Sequence, residues 1–178
     1  SLTRTPSSSS NRKTFTFSTW VKRTTLDSDY ILVAKTGTGA SDSFYFGFRA
    51  NQIQITSQSA GGTSNISVRS NAVYRDTFGW YNLVLAVDTT QSTASDRVKL
   101  YVNGSQVTSL ELNTYPNQND DIYGINNTIE HAFGRENYEG GVAYHEYLLS
   151  HIHFIDGTAY DASSFGSTDS TTGEWKIN

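Results

Sequence analysis

The sequence predicts an all-β protein, an antiparallel sandwich of two sheets, and three observations predict it. Apolar and polar side chains alternate with a period of two wherever a period is visible, and no stretch of about eleven residues keeps a helical apolar stripe. The 178 residues include 23 Ser and 22 Thr, and 13% are aromatic, a mix that suits pleated strands joined by tight turns. About ten short segments are bounded by turn residues, the spacing of a sandwich rather than of βαβ units.

The elements follow in order. In Thr14 to Lys22, Phe15, Phe17, Thr19 and Val21 point one way while Thr16, Ser18 and Trp20 point the other. Tyr30 to Lys35 holds the apolar run Ile31-Leu32-Val33-Ala34, ended by Gly37 and Gly39. Ser43 to Arg49 and Gln52 to Gln58 form a hairpin about Ala50-Asn51, with Phe44, Phe46, Phe48, Ile53 and Ile55 inward. After the Gly61-Gly62 loop come Ile66 to Arg69 and then Trp80 to Asp88, whose two faces are both apolar enough to be covered, the mark of a central strand. Arg97 to Val102 pairs with Gln106 to Leu112 through Asn103-Gly104, since both turn residues tolerate positive φ. Asn113 to Asn127, with Pro116, reads as a long polar loop. Thr128 to Arg135 and Tyr144 to Ile155 read as the closing strands, and Ser163 to Asn178 as an irregular tail. The expected core contains Phe15, Phe17, Trp20, Phe46, Leu83, Leu85, Leu100, Val102, Ile152 and Phe154.

Composition narrows the function. A formal charge of −4 with scattered basic residues lacks the footprint of a nucleic-acid binder. No run approaches the roughly eighteen apolar residues that insert in a membrane. With no cysteine, disulfides and thiolate chemistry are out of reach. Methionine is absent as well, so residues 1–178 read as one domain, a module cut from a longer chain.

Three sets of motifs carry a resemblance. They are Arg4-Thr5-Pro6 leading into Asn11 to Arg23; Asn71 to Asp76 with Trp80-Tyr81, Asp88-Thr89-Thr90 and Tyr101-Val102-Asn103-Gly104; and His153-Phe154-Ile155-Asp156-Gly157 followed by Ser164-Phe165-Gly166 and Thr172-Gly173-Glu174-Trp175. Across nearly the whole chain this resembles the concanavalin A-like, laminin G-like jelly-roll domain of marine bacteriophage virion proteins. The chain departs from that pattern at Ser150-His151 and at Tyr144-His145-Glu146-Tyr147. The resemblance implies a concanavalin A-like sandwich on a tail fibre or appendage, at the virion surface or otherwise extracellular, beside other virion proteins and in some cases as a trimer.

Four constellations bear on chemistry. Glycoside hydrolysis needs two carboxyl groups about 5–5.5 Å apart for retention. The pattern Glu-x-Asp-x-x-Glu is missing, and Glu130, Glu136, Glu139 and Glu146 are not spaced to replace it. His151 and His153 share a strand face as two zinc ligands would, with a third needed from His145 or His131. Asn119, Asp120 and Asp121, with Asn117, offer oxygens for calcium, although Asn and Asp also gather in loops simply because they favour turns. Sugar recognition calls for aromatic faces and planar polar groups, which Tyr123, Tyr138, Tyr144 and Tyr147 with His131, Arg135, Asn137 and His145 supply in one stretch. The contact surface is therefore expected on Asn113 to Asn127 and Glu136 to Tyr147, unless these loops merely cover the end of the core.

The functional expectation is a non-catalytic, lectin-like module that binds a cell-surface glycan and needs no cofactor, calcium at Asn119, Asp120 and Asp121 being an optional ligand. Two alternatives stand beside it: a structural capsid or tail decoration domain without a small ligand, and a glycoside hydrolase of the same fold.

Overall fold

The computed structural model describes residues 1–26, 29–35, 41–138 and 141–178, with Tyr138 described in its backbone alone. In chain order the strands are β1 (Leu2–Arg4), β2 (Thr14–Arg23), β3 (Tyr30–Lys35), β4 (Ser43–Arg49), β5 (Gln52–Gln58), β6 (Ser64–Val73), β7 (Tyr81–Asp88) and β8 (Val98–Val102). There follow β9 (Ser105–Gln106), β10 (Leu110–Thr114), β11 (His131–Phe133), β12 (Arg135–Tyr138), β13 (Gly141–Tyr144), β14 (Tyr147–Asp156), β15 (Gly166–Thr168) and β16 (Trp175–Ile177). Helix among the described residues is confined to two three-residue 3₁₀ turns, Ala94–Asp96 and Ala162–Ser164.

Two antiparallel sheets face one another, a seven-stranded one in the order β1-β11-β3-β4-β5-β6-β10 and a five-stranded one in the order β14-β2-β7-β8-β9. Alternation sends Phe15, Phe17 and Val21 of β2 and Leu83, Leu85 and Val87 of β7 inward, where they meet Phe44, Phe46, Phe48, Ile53 and Ile55. Phe15 meets Phe44, and Phe17 meets Phe46, edge to face at 6.0 and 5.6 Å. The central strand β7 is buried on both faces from Asn82 to Val87, as its sequence foretells. Of the expected core, Phe15, Phe17, Phe46, Leu83, Leu85 and Leu100 are buried. Trp20, Val102 and Ile152 are half-buried, and Phe154 is 36% exposed because β14 is the sheet's edge.

The structure corrects several boundaries. The run Gln106 to Leu112 is two strands: β9 pairs with β8, and the chain then crosses to pair β10 with β6 in the other sheet. Alternation alone cannot tell which sheet a strand joins. Ile66 to Arg69 extends to the ten residues of β6, and the loop after β10 starts later than Asn113. Gly134, at φ 75°, breaks Thr128 to Arg135 into β11 and β12. Tyr144 belongs to β13, and β14 begins only at Tyr147. Within β14 the register shifts between Ser150 and His153, a bulge in which His151 takes φ 49°. The strand β1, which pairs with β11, has no counterpart in the sequence reading.

The supposed tail, Ser163 to Asn178, is ordered. Strands β15 and β16 form a hairpin. Its turn is closed by Asp169, whose carboxylate accepts from the Thr171 and Thr172 N–H groups at 2.9 and 2.8 Å and pairs with Lys176 at 2.7 Å. The Lys176 ammonium, followed by the turn N–H groups, lowers this carboxyl pKa to about 2. The hairpin lies on the outer face of the five-stranded sheet. There the Trp175 indole sits where a Cβ on Gly104 would stand, and it donates to Asn82 Oδ1 at 3.0 Å.

Candidate functional site

The outer face of the seven-stranded sheet is left open as a trough of about 580 Å³. Strand register builds its floor in two rows: Tyr30, Gly47, Gln54, Arg69 and Leu112 stand opposite one another across β3, β4, β5, β6 and β10, and Tyr45, Thr56 and Ser67 form the adjacent row. Gly47 is required in the first row, because a Cβ there would lie 2.3 Å from the Asp29 carbonyl oxygen and 2.6 Å from Tyr30 Cα. Its bare Cα lets the chain before β3 draw close enough for Phe48 N–H to donate to Asp29 O at 2.7 Å. Tyr30 and Tyr45 then stand with ring centroids 4.9 Å apart.

One wall is the ribbon β12–β13. From it Glu136 accepts from the Tyr45 hydroxyl at 2.8 Å and lies 3.5 Å from Lys35 Nζ. Burial first, and the Glu136 carboxylate second, hold the Tyr45 hydroxyl well above the usual tyrosine range, so it stays a donor. On the opposite side Glu111 accepts from Gln52 Nε2 and Arg69 Nη2, both at 2.6 Å. These bonds, Gln52 first, hold its carboxyl below the usual range. Two polar atoms of the floor, Gln54 Oε1 and Arg69 Nε, are buried without a hydrogen-bond partner among the described residues, and Gln54 is only 4% exposed. Arg49, at the end of β4, is exposed and forms no ion pair among them.

Of the eight side chains read from sequence as sugar contacts, seven are described, and none of these seven lines this trough. Several support it from behind. His145 meets the Tyr30 ring edge-on at 5.6 Å and lies 4.0 Å from Asp29, beside the buried Arg23. Burial holds the His145 imidazole below the usual histidine range, against the pull of Asp29. The Tyr147 hydroxyl donates to the carbonyl oxygens of Tyr30 and Ile31, 3.0 and 3.2 Å away. Arg135 and Asn137 both bind Glu130 at 2.6 Å. His131 accepts from Asn126 N–H through Nε2 and donates through Nδ1 to Ile129 O, and burial lowers its pKa; both ring nitrogens are occupied. Tyr123 binds Ser57 through its main chain, and Tyr144 is 69% exposed on the far side of the ribbon. The side chain of Tyr138, like Glu139, lies outside the described residues.

The calcium candidates serve a turn. Asp120 accepts from Asn117 N–H at 2.9 Å, Asn119 takes φ 66° and donates its N–H to Thr89 O, and the Asp121 carbonyl accepts from Asn65. No group of three or more His, Cys, Asp or Glu gathers as a metal site among the described residues.

Sequence reasoning sought neighbours along the chain and so missed Tyr30, Tyr45, Gln54 and Arg69, which are neighbours across strands. The available signal was the outward set of β4 to β6, where long planar polar side chains recur on one face.

The structure resembles many known sandwiches at low identity. The carbohydrate-binding module CBM40 of the Ruminococcus gnavus IT-sialidase, solved with α2,3-sialyllactose, superposes with a TM-score of 0.61 at 15% identity, over 92% of this chain and 95% of that one. Domain 4 of the Geobacillus stearothermophilus arabinanase AbnA, solved with arabinotriose, gives 0.55 at 16% identity over 84% of this chain and 64% of that one, so the match spans less than two thirds of the arabinanase domain. A heptameric SAP-like pentraxin from Limulus polyphemus gives 0.54 at 14% identity, over 85% and 68%. No curated protein matches the chain in sequence. The laminin G-type model of the concanavalin A-like lectin/glucanases superfamily matches residues 2–142, which run from β1 into β13 and supply every strand of the trough, and the chain belongs to that family.

Proposed function

We propose that this domain is a non-catalytic glycan-recognition module that holds a sugar chain in the trough. One observation carries the reading: a tyrosine pair stands beside the amide of Gln54, the guanidinium of Arg69 and the carboxylate of Glu136 on an open sheet face. Aromatic faces take the C–H surface of a pyranose, and planar polar groups take its hydroxyls. The Gln54 amide and the Arg69 guanidinium both line the trough and are planar groups of the kind that pair with sugar hydroxyls. Both carboxylates at the margins are already engaged, Glu136 by Tyr45 and Lys35, Glu111 by Gln52 and Arg69, which favours holding a sugar over cleaving it. The resemblance to phage virion domains extends the proposal to a fibre or tail appendage that attaches to a host or environmental surface. Sugar-bound relatives of the same fold, the sialyllactose and arabinotriose complexes, support the ligand class.

A glycan array at high protein density tests this, because avidity makes weak single-site binding visible. Binding should appear with the native chain and disappear with Tyr45→Ala. Silence from folded protein, or release of reducing ends from the bound polysaccharide, would overturn the proposal.

One set of residues favours the structural reading. Leu2, Tyr144, Leu148 and Phe154 are exposed by 64, 69, 52 and 36% along the side where β1 and β14 form the two sheet edges, a surface suited to docking on other virion proteins or further copies of the chain. A stable trimer by light scattering, with a silent array, would select it.

A further inference from the structure

Charge is distributed unevenly over the trough. Arg49, Arg69 and Glu136 are the charged side chains that line it, and two of them are already matched. Arg69 Nη2 lies 2.6 Å from Glu111. Glu136 lies 3.5 Å from Lys35, whose ammonium also stands 5.7 Å from the centre of the Tyr45 ring. Beneath the Tyr30 end, Asp29 is buried against Arg23 at 3.7 Å. Arg49 is exposed and makes no hydrogen bond or ion pair among the described residues. The carboxylates of Glu111 and Glu136 thus face the cations Arg69, Lys35 and Arg49, and the excess is positive on a chain whose formal charge is −4.

Strand register puts that excess at one end. Arg49 stands opposite Gln52 and, by the period of two, on the same face as Gly47 and Tyr45, one row beyond the row of Tyr30 and Gln54. Its field reaches the aromatic pair: burial raises the pKa of the Tyr30 hydroxyl, and Arg49 is the positive charge that opposes the rise. Toward the other end the floor is uncharged, with Thr56 opposite Ser67 and then Gln58 between Ser43 and Ser64. Gln52 and Gln58 are six residues apart, about 20 Å of strand at roughly 3.4 Å per residue. A guest that meets Arg49 therefore lays the rest of its length over hydroxyls and amides.

We infer that the trough selects an anionic glycan, one whose carboxylate or sulfate pairs with Arg49 beside Tyr30 while its neutral remainder runs along β5 toward Gln58. The inference rests on the reading of the trough as a sugar site and narrows that reading to a class. A guanidinium presents a planar fork of N–H donors that two oxygens of one acid group can engage at once, and such charge-assisted bonds are about twice as strong as neutral ones. Arg69 is second to Arg49 for this role because Glu111 holds it. A cationic sugar finds both carboxylates engaged. A neutral glycan meets the same tyrosines and amides and leaves the Arg49 charge unused, so it binds more weakly.

The test uses the intact chain and compares matched probes: lactose beside its sialylated and sulfated forms, and oligogalacturonate beside its methyl ester, each at low and at physiological salt. At least one acid should bind roughly tenfold more tightly than its neutral counterpart, the scale of a hydrogen bond to a charged group, and the difference should shrink as salt rises. Whether the carboxylates or the sulfate gain more identifies the source of the charge. Arg49→Gln should bring acid and neutral forms to one affinity with melting unchanged, and Arg49→Lys should keep part of the preference. Acid and neutral forms held equally by the native chain, and both lost in Tyr45→Ala, would overturn the selectivity and leave the sugar site standing. A preference that survives Arg49→Gln and vanishes in Arg69→Met would move the anion to Arg69 and overturn the assignment. Silence of every probe on folded protein would overturn the sugar site and the inference with it.

Discussion

The two outer faces of the sandwich are opposite in fate. That of the five-stranded sheet presents short side chains, among them Thr16, Ser18, Val84 and Ala86, all buried, because residues after β14 lie over them. Thr16 Oγ1 donates to Thr158 O and accepts from Tyr160 N–H, both at 2.7 Å, and Trp175 caps Asn82. That of the seven-stranded sheet presents Tyr45, Gln54, Gln58 and Arg69, long groups standing up from the strands. Side-chain length separates the two: short residues let a second layer of backbone approach to hydrogen-bonding distance, and long planar ones hold it off and leave room for a guest.

If this contrast is right, damage to the covered face should cost stability and leave the trough alone. Gly104→Ala should have the largest effect, since its Cβ would lie 2.3 Å from the Trp175 ring at a residue with φ 79°. About 3 kcal/mol is expected, a fall in melting temperature of roughly 6–12 °C for a chain of this size, with glycan binding retained below the transition. Trp175→Ala should follow at about 2 kcal/mol, less than a fully buried Trp, and hydrogen exchange should quicken at Thr16, Val84 and Ala86. Were exchange to quicken instead along β4 and β5, the cover would not be local and the contrast would fail.

Damage to the open face should do the reverse. Arg69→Met removes a partly exposed pair with Glu111 and should change stability by no more than about 1 kcal/mol, while array affinity drops roughly tenfold. A melting temperature that falls with binding intact would make Arg69 a brace for the sheet.

The smallest effect is a slope with pH, and it sharpens the contrast. Burial holds His145 and His131 below the usual histidine range, so the unfolded chain binds more protons just below its own histidine pKa, about 6.5. Stability contributed by these two neutral rings is present above that pH and lost as pH falls toward their folded values. Asp29 works with the opposite sign, its carboxyl raised by burial, and acts nearer the carboxylate range. Because His145 underlies Tyr30, acidification should speed exchange in β3 and β4 before β7, and His145→Gln should flatten the slope.

How much was legible depends on whether a signal lies within a strand or between strands. The hairpin Ser43–Arg49 with Gln52–Gln58 is found at the bounds read from sequence, because alternation and the positive-φ pair Ala50-Asn51 act locally. So does the reading of β7 as covered on both sides. The crossing of β10 was not legible, since its alternation fits either sheet. Nor was the closing hairpin, whose anchor Trp175 finds Gly104 only once both sheets exist. The trough failed to show for the same reason: Tyr30, Gln54 and Arg69 meet through the register of β3 to β6. Histidines and tyrosines in one stretch of chain were easier to see, and two of them, His145 and Tyr147, contact Tyr30.

The bulge of β14 also bears on how the protein behaves at high concentration. As the ten-residue border of its sheet, β14 pairs among the described residues with β2 on one side only, and a flat border of that length is a template on which another molecule can stack its own backbone. The interruption at His151 divides it into two runs of four paired residues, Tyr147 to Ser150 and His153 to Asp156. The twist between them denies a visiting strand a continuous ladder. Two copies of the domain brought together would thereby be kept apart at the backbone, however closely their side chains pack.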